Sequence, residues 1–200
     1  MAFLHVNQPS GTGFFVFPID DDNVQSKVPH DFTRHYPLAL LEPHVDQRTM
    51  ARLKARVGSS PLSVVGLWPD DAVSKKYDMI IGGENLLFLS KTHLVAGGTV
   101  IFSRRSRPLA EALFGKGAQS MNELLIFLVG VQPFAYTLQQ FYDAIGRKTK
   151  APYKAFTTLS TQNIQHIEAK YGSIYSFFEE AKPREAASAP APAPEAKPNA

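Results

Sequence analysis

The chain has one tryptophan, and it belongs to the same stretch, Ser63 to Pro133, as the densest group of arginines. Trp68 closes the apolar run Ser63-Val-Val-Gly-Leu-Trp68, and Arg104-Arg105-Ser106-Arg107 follows a second apolar run. An indole offers a flat face for stacking, and guanidinium groups offer forked donors that suit phosphate and carboxylate. Together these residue types describe a surface for a flat, anionic ligand. A lone tryptophan at a strand end also serves as a plug for a core, and that reading stays open beside the first.

Groups able to make or break bonds are scattered. The six histidines, His5, His30, His35, His44, His93 and His166, fall at no metal-ligand spacing. Asp20-Asp21-Asp22 has the composition of a cation-binding loop, but an acidic turn explains it more simply. Gly11-Thr-Gly13 does not continue into a dinucleotide fingerprint, and there is no P-loop or Gly-x-Ser-x-Gly elbow. The chain has no cysteine, which removes thiolate nucleophiles, disulfides and cysteine zinc sites together. Binding without catalysis is expected, with no cofactor and no metal.

The net charge of +3 is unevenly distributed. Residues 1–99 carry nine Lys/Arg against ten Asp/Glu, net −1, and residues 157–200 carry four against five, again −1. Residues 100–156 carry eight against three, net +5, so this segment supplies the whole basic excess. A localised basic stripe points to a polyanionic partner more directly than the overall balance does. A charged face kept for solubility is the plainer alternative.

The elements that must position these residues follow from the pattern. With 44% apolar residues and 14 Phe in 200, the chain can bury the core of one domain. Phe3-Leu4 and Phe14-Phe15-Val16-Phe17 around a Pro/Gly turn predict a strand pair. Prolines 29, 37 and 43 disfavour a long element, after which Asp46 caps a helix that Gly58 stops. Leu62–Leu67, Leu86–Leu89, Leu94–Phe102 and Leu124–Val131 read as strands, the middle two as a hairpin across Ser90-Lys-Thr-His93. Asp70–Asp78 reads as a polar loop or short helical turn, and Pro108–Phe114 as a short helix. Three helices follow, over Thr137–Ile145, Ser160–Tyr171 and Ser173–Ala181. The expected fold is α+β, a small curved mixed sheet or barrel flanked by helices. Three regions are expected: an N-terminal strand pair and helix over 1–61, a central domain with C-terminal helices over 62–181, and a disordered Ala/Pro tail over 182–200. The longest apolar run, Leu124–Val131, is far short of the roughly 20 residues of a membrane span. The N-terminus lacks a basic leader region, so a cytoplasmic protein with no membrane partner is expected.

Several of these segments resemble the EVE-like branch of the PUA-like superfamily, which is related to the YTH readers and to base-reading domains of modification-dependent restriction enzymes. Gly66-Leu-Trp68 is similar to the Gly-hydrophobic-Trp that ends an early strand in those domains. Lys76-Tyr-Asp-Met-Ile-Ile-Gly-Gly-Glu-Asn-Leu-Leu-Phe-Leu89 resembles their lysine-aromatic, Gly-Asp, apolar-strand segment, with Gly83-Glu84 in place of Gly-Asp. Val95-Ala-Gly-Gly-Thr-Val100 resembles the returning strand. Arg107-Pro-Leu-Ala-Glu-Ala-Leu-Phe-Gly115 resembles a short helix that often ends in Trp-Gly, here Phe114-Gly115. Phe156–Ser160 and Lys170–Ile174 resemble segments of EVE-like domains attached to modification-dependent restriction enzymes.

The resemblance implies a non-enzymatic reader of nucleic acid, DNA more than RNA, that holds a modified base flipped from its strand. It implies Trp68 as the stacking platform, with Tyr77 and Phe114 as further walls. Asn85 and Ser103 would read a base edge, and Arg104, Arg105, Arg107 and Lys116 would hold the backbone, joined by Arg147, Lys148 and Lys150. It further implies a restriction or bacterial defence setting with an effector protein partner. Each aromatic has a bland counterpart in the core, and Asn85 has one as a turn residue. The alternative function is a protein-interaction adaptor or inhibitor whose basic stripe meets an acidic partner.

Overall fold

In the computed structural model, residues 13–19, 34–117, 122–148, 151, 153 and 156–183 are described. The strands among them form one mixed sheet. They are β1 (Phe14–Pro18), β2 (His35–Tyr36), β3 (Leu62–Leu67), β4 (Asn85–Leu89), β5 (Leu94–Arg105), β6 (Leu124–Pro133) and β7 (Thr157–Thr158), in the spatial order β2-β3-β6-β5-β4-β1-β7. Only β1 and β4 run parallel, and the remaining neighbours are antiparallel. The α+β architecture expected from the sequence is therefore present, as an open sheet with β2 and β7 at its edges. The hairpin of β4 and β5 across residues 90–93 is present too.

The helices begin where their caps place them. Asp46, Asp70, Ser106, Thr137, Ser160 and Ser173 each accept a hydrogen bond from a first-turn backbone N–H. Such a cap satisfies a donor that the helix leaves unpaired. They open α1 (Gln47–Val57), α2 (Asp71–Tyr77), α3 (Arg107–Phe114), α4 (Leu138–Ala144), α5 (Thr161–Tyr171) and α6 (Ile174–Ala181). Among these, α2 resolves the ambiguity at Asp70–Asp78 in favour of a helix. The proline-rich segment holds only a 3-10 helix, Leu38–His44, with Pro43 inside it.

Strand alternation sorts the core into two faces. Val65 and Leu67, Leu86 and Phe88, and Leu124, Ile126 and Leu128 share one face, closed by Tyr77, Ile80 and Phe156. On the opposite face, Val64, Leu125, Phe127 and Ile101 pack against α1, α3 and the 3-10 helix. Further along that face, Phe14, Val16, Leu87 and Leu89 pack against α4, α5 and α6 through Phe141, Ile167 and Phe177. Phe14, Phe88, Phe127, Phe141 and Phe177 are all fully buried, each contributing about 1.5–3 kcal/mol relative to exposure. Both strands described within the first sixty residues, β1 and β2, belong to this same sheet. The segments around Phe3-Leu4 and Asp20–Asp22, His5, His30, Lys150 and the Ala/Pro tail lie outside the described residues. Among the described residues, no helix is long and apolar enough to cross a membrane.

Candidate functional site

The register of three strands decides which residues meet. Leu67 at the end of β3 and Arg105 at the end of β5 are both paired with Leu124 at the start of β6. Adjacent strands lie about 4.8 Å apart, so these two strand ends stand roughly 10 Å from each other at one end of the sheet. Trp68 follows Leu67 directly and is half-buried. Its carbonyl accepts from the N–H of Asp70, the residue that caps α2. Thus the tryptophan and the arginine cluster, 36 or more residues apart in sequence, share one end of the fold.

The packing around Gly66 leaves no room for a side chain there. A Cβ there would lie 2.7 Å from the Phe114 ring and 2.8 Å from the Asn122 carbonyl oxygen. The ring and the incoming strand therefore press on bare backbone, where overpacking costs about 1–3 kcal/mol. Phe114 itself is half-buried and meets Tyr36 edge-on at 6.2 Å. Asn122 is 1% exposed, and among the described residues its Oδ1 has no hydrogen-bond partner. An orphaned buried acceptor carries a cost of about 1–3 kcal/mol unless a donor reaches it.

β4 begins at Asn85, and the loop before it continues along β5. Gly83 N–H donates to Val100 O at 2.7 Å, Val100 N–H donates to Glu84 O at 2.8 Å, and Ser103 Oγ donates to Ile80 O at 3.3 Å. Gly82 and Gly83 have φ of 95° and 105°, which glycine adopts without steric cost. Glu84 is 6% exposed, and its carboxylate accepts from the N–H groups of Ile81 (3.0 Å) and Gly82 (2.8 Å). Arg56 reaches across from α1 to donate to Ile101 O at 2.7 Å. The loop so held leaves Ile81 86% exposed and Met79 59% exposed.

The expected site residues fare differently. Tyr77 is not an open wall: it is 6% exposed, and its hydroxyl donates to Leu125 O at 2.9 Å. Burial pushes its phenol well above the ordinary value of 10.0. Asn85 is no turn residue, because it lies in the ladder between β1 and β5 and accepts from Thr99 Oγ1 at 3.3 Å. Ser103 is half-buried and occupied with Ile80. Arg104 and Arg105, as neighbours in a strand, point to opposite faces of the sheet. Arg105 Nε contacts Glu123 at 2.7 Å and Arg107 Nε contacts Glu111 at 3.5 Å, and both arginines are exposed. Among the described residues no ion pair engages the half-buried Arg104 or the exposed Lys116. Arg147 is half-buried, with its guanidinium 3.9 Å from the Tyr153 ring and 4.7 Å from the Tyr142 ring, whereas Lys148 is exposed.

Glu84, Arg56, Ile81 and Asn122 were not among the site residues expected from the sequence. Only Glu84 carried a local signal, since a Gly-Gly turn leaves backbone donors for an adjacent carboxylate to collect. Among the described residues, no three His, Asp or Glu side chains gather as a metal site.

No family model matches the chain, and no curated protein matches it. A solved structure does. The fold is similar to that of the N-terminal domain of Thermococcus gammatolerans McrB bound to m5C DNA. The TM-score is 0.56 at 12% identity, over 80% of this chain and 96% of that one. The likeness is one of fold, and nearly the whole of that domain has a counterpart here.

Proposed function

We propose that this chain is a non-enzymatic DNA-binding reader that takes up a modified base extruded from its duplex. The observation that carries this reading is the convergence of Trp68 with Arg104 and Arg105 at one end of the sheet. The similar fold of a domain bound to m5C DNA supports it, as does the EVE-like pattern of the sequence. In this reading Trp68 stacks on the base, an interaction worth roughly 1–3 kcal/mol. Extrusion costs a few kcal/mol, which phosphate contacts must offset. Arg104 and Lys116 would make them directly. Arg105 and Arg107 would first exchange carboxylates for phosphates. A restriction setting with a separate effector protein completes the proposal.

Equilibrium binding to duplexes with and without 5-methylcytosine, at low and raised salt, tests it. Salt-sensitive binding is expected, with Trp68→Ala weakening it by roughly tenfold or more, in line with the value of one stacked base. No binding to any DNA at low salt would sink the reading. The second reading, an adaptor for an acidic protein, draws on exposed Met79 and Ile81 beside the cations, an apolar centre with a charged rim. A stoichiometric acidic partner, lost on charge reversal of Arg104 and Arg105, would favour it instead.

A further inference from the structure

We infer that Ile81 is a wedge that enters the DNA base stack where the extruded base has left it. The inference rests on the DNA-reader reading above and names the residue that holds the duplex open. Ile81 is the most exposed large apolar side chain among the described residues, at 86%, and Met79 in the same loop is 59% exposed. Slackness does not account for the exposure. The carboxylate of Glu84 clamps the N–H groups of Ile81 and Gly82, and hydrogen bonds on either side pin the loop to β5 at Val100 and Ser103. The backbone of Gly82 presses so closely on β5 that a Cβ would lie 3.2 Å from Ile101 O. The tip is thus preorganised, and the β-branched side chain that it carries is stiff at χ1.

Its place agrees with its form. Ser103, which holds the loop through Ile80, immediately precedes Arg104. Trp68 precedes α2 and Ile81 follows it, so platform and tip flank the same short helix at the cationic end of the sheet. Proteins that kink or open duplexes insert apolar side chains of this kind between base steps, replacing lost stacking at a cost of a few kcal/mol per step. A cationic rim brings a polyanion to the tip, whereas a purely apolar partner would gain nothing from Arg104 and Arg105.

The test compares wild type, Ile81→Ala and Ile81→Leu on three probes. These are a fully paired duplex carrying 5-methylcytosine, the same duplex with that base mispaired, and the modified single strand. A wedge matters only where stacking must be broken. Ile81→Ala should weaken binding to the paired duplex by roughly tenfold, less on the mispaired duplex and not at all on the single strand, because unstacking is cheaper or already complete there. Ile81→Leu should restore most of the loss. The melting temperature should be unchanged, because the side chain is exposed. An equal loss on all three probes, or none on any, with wild type binding normally, would overturn the wedge and leave the reader standing. A wild type that binds none of the three would overturn both.

Discussion

The two ends of β4 use one device for opposite purposes. At the far end, Ser90 Oγ accepts from the N–H groups of Thr92 (3.2 Å) and His93 (2.8 Å), just as Glu84 gathers those of Ile81 and Gly82 at the near end. Both loops are therefore rigidified by one side-chain acceptor that collects two backbone donors. The far turn is polar and put to internal use: Thr92 O accepts from Leu138 N–H at the start of α4, and His93 bridges to Thr137. The near loop, pinned to β5 at Val100 and Ser103, holds up Ile81 and Met79. Equal rigidity with unequal display shows that the exposed apolar tip is not a by-product of loose packing.

Removing the clamp at the near end should have the largest effect. Glu84→Ala leaves two backbone donors without their carboxylate, and charge-assisted bonds of this kind contribute about 1.5–3 kcal/mol each. A loss of about 3 kcal/mol in urea unfolding is expected, together with DNA binding weaker than that of Ile81→Ala, since the whole tip loses its frame. Unaltered binding in a folded Glu84→Ala protein would break the comparison.

The support beneath that loop gives an intermediate effect. Tyr77→Phe removes the hydroxyl bonded to Leu125 O and should cost about 1 kcal/mol near neutral pH. Burial raises the phenol of Tyr77 in the folded state, so its contribution is complete below the ordinary value of 10.0 and is lost as pH rises beyond it. The variant should therefore show a shallower alkaline decline than wild type in unfolding measured across that range. Tyr136, Tyr142 and Tyr153 are raised by burial as well, so a residual decline should remain.

The smallest change belongs to the far end. Ser90→Ala should cost about 0.5–1 kcal/mol, the ordinary value of a neutral, exposed hydrogen-bonded turn, and leave DNA affinity untouched. An affinity loss matching that of Glu84→Ala would mean that the two ends do not divide the work as described.

Local chemistry in the sequence determined much of this protein. The caps Asp46, Thr137, Ser160 and Ser173 and the stops Gly58 and Gly172 mark helix ends through bonds formed within a few residues. The apolar runs of β3, β4 and β6 declare themselves because strands buried on both faces need apolar residues at every position. The presence of Trp68, the clustering of charge in residues 100–156 and the want of catalytic motifs were equally legible. Tertiary structure alone decided the rest. That β5 runs on to Arg105 depends on its pairing with β6, since two arginines in a row carry no strand pattern. That β1 lies between β4 and β7 is a pairing over some seventy residues on one side and more on the other, with no local trace. Burial turned Tyr77 from a possible wall into core and Asn85 from a turn residue into a rung of the ladder. The meeting of Trp68 with the arginines, and the lifting of Ile81 beside them, follow from register. Register is set by which faces are buried, a property of the assembled sheet and of no segment read by itself.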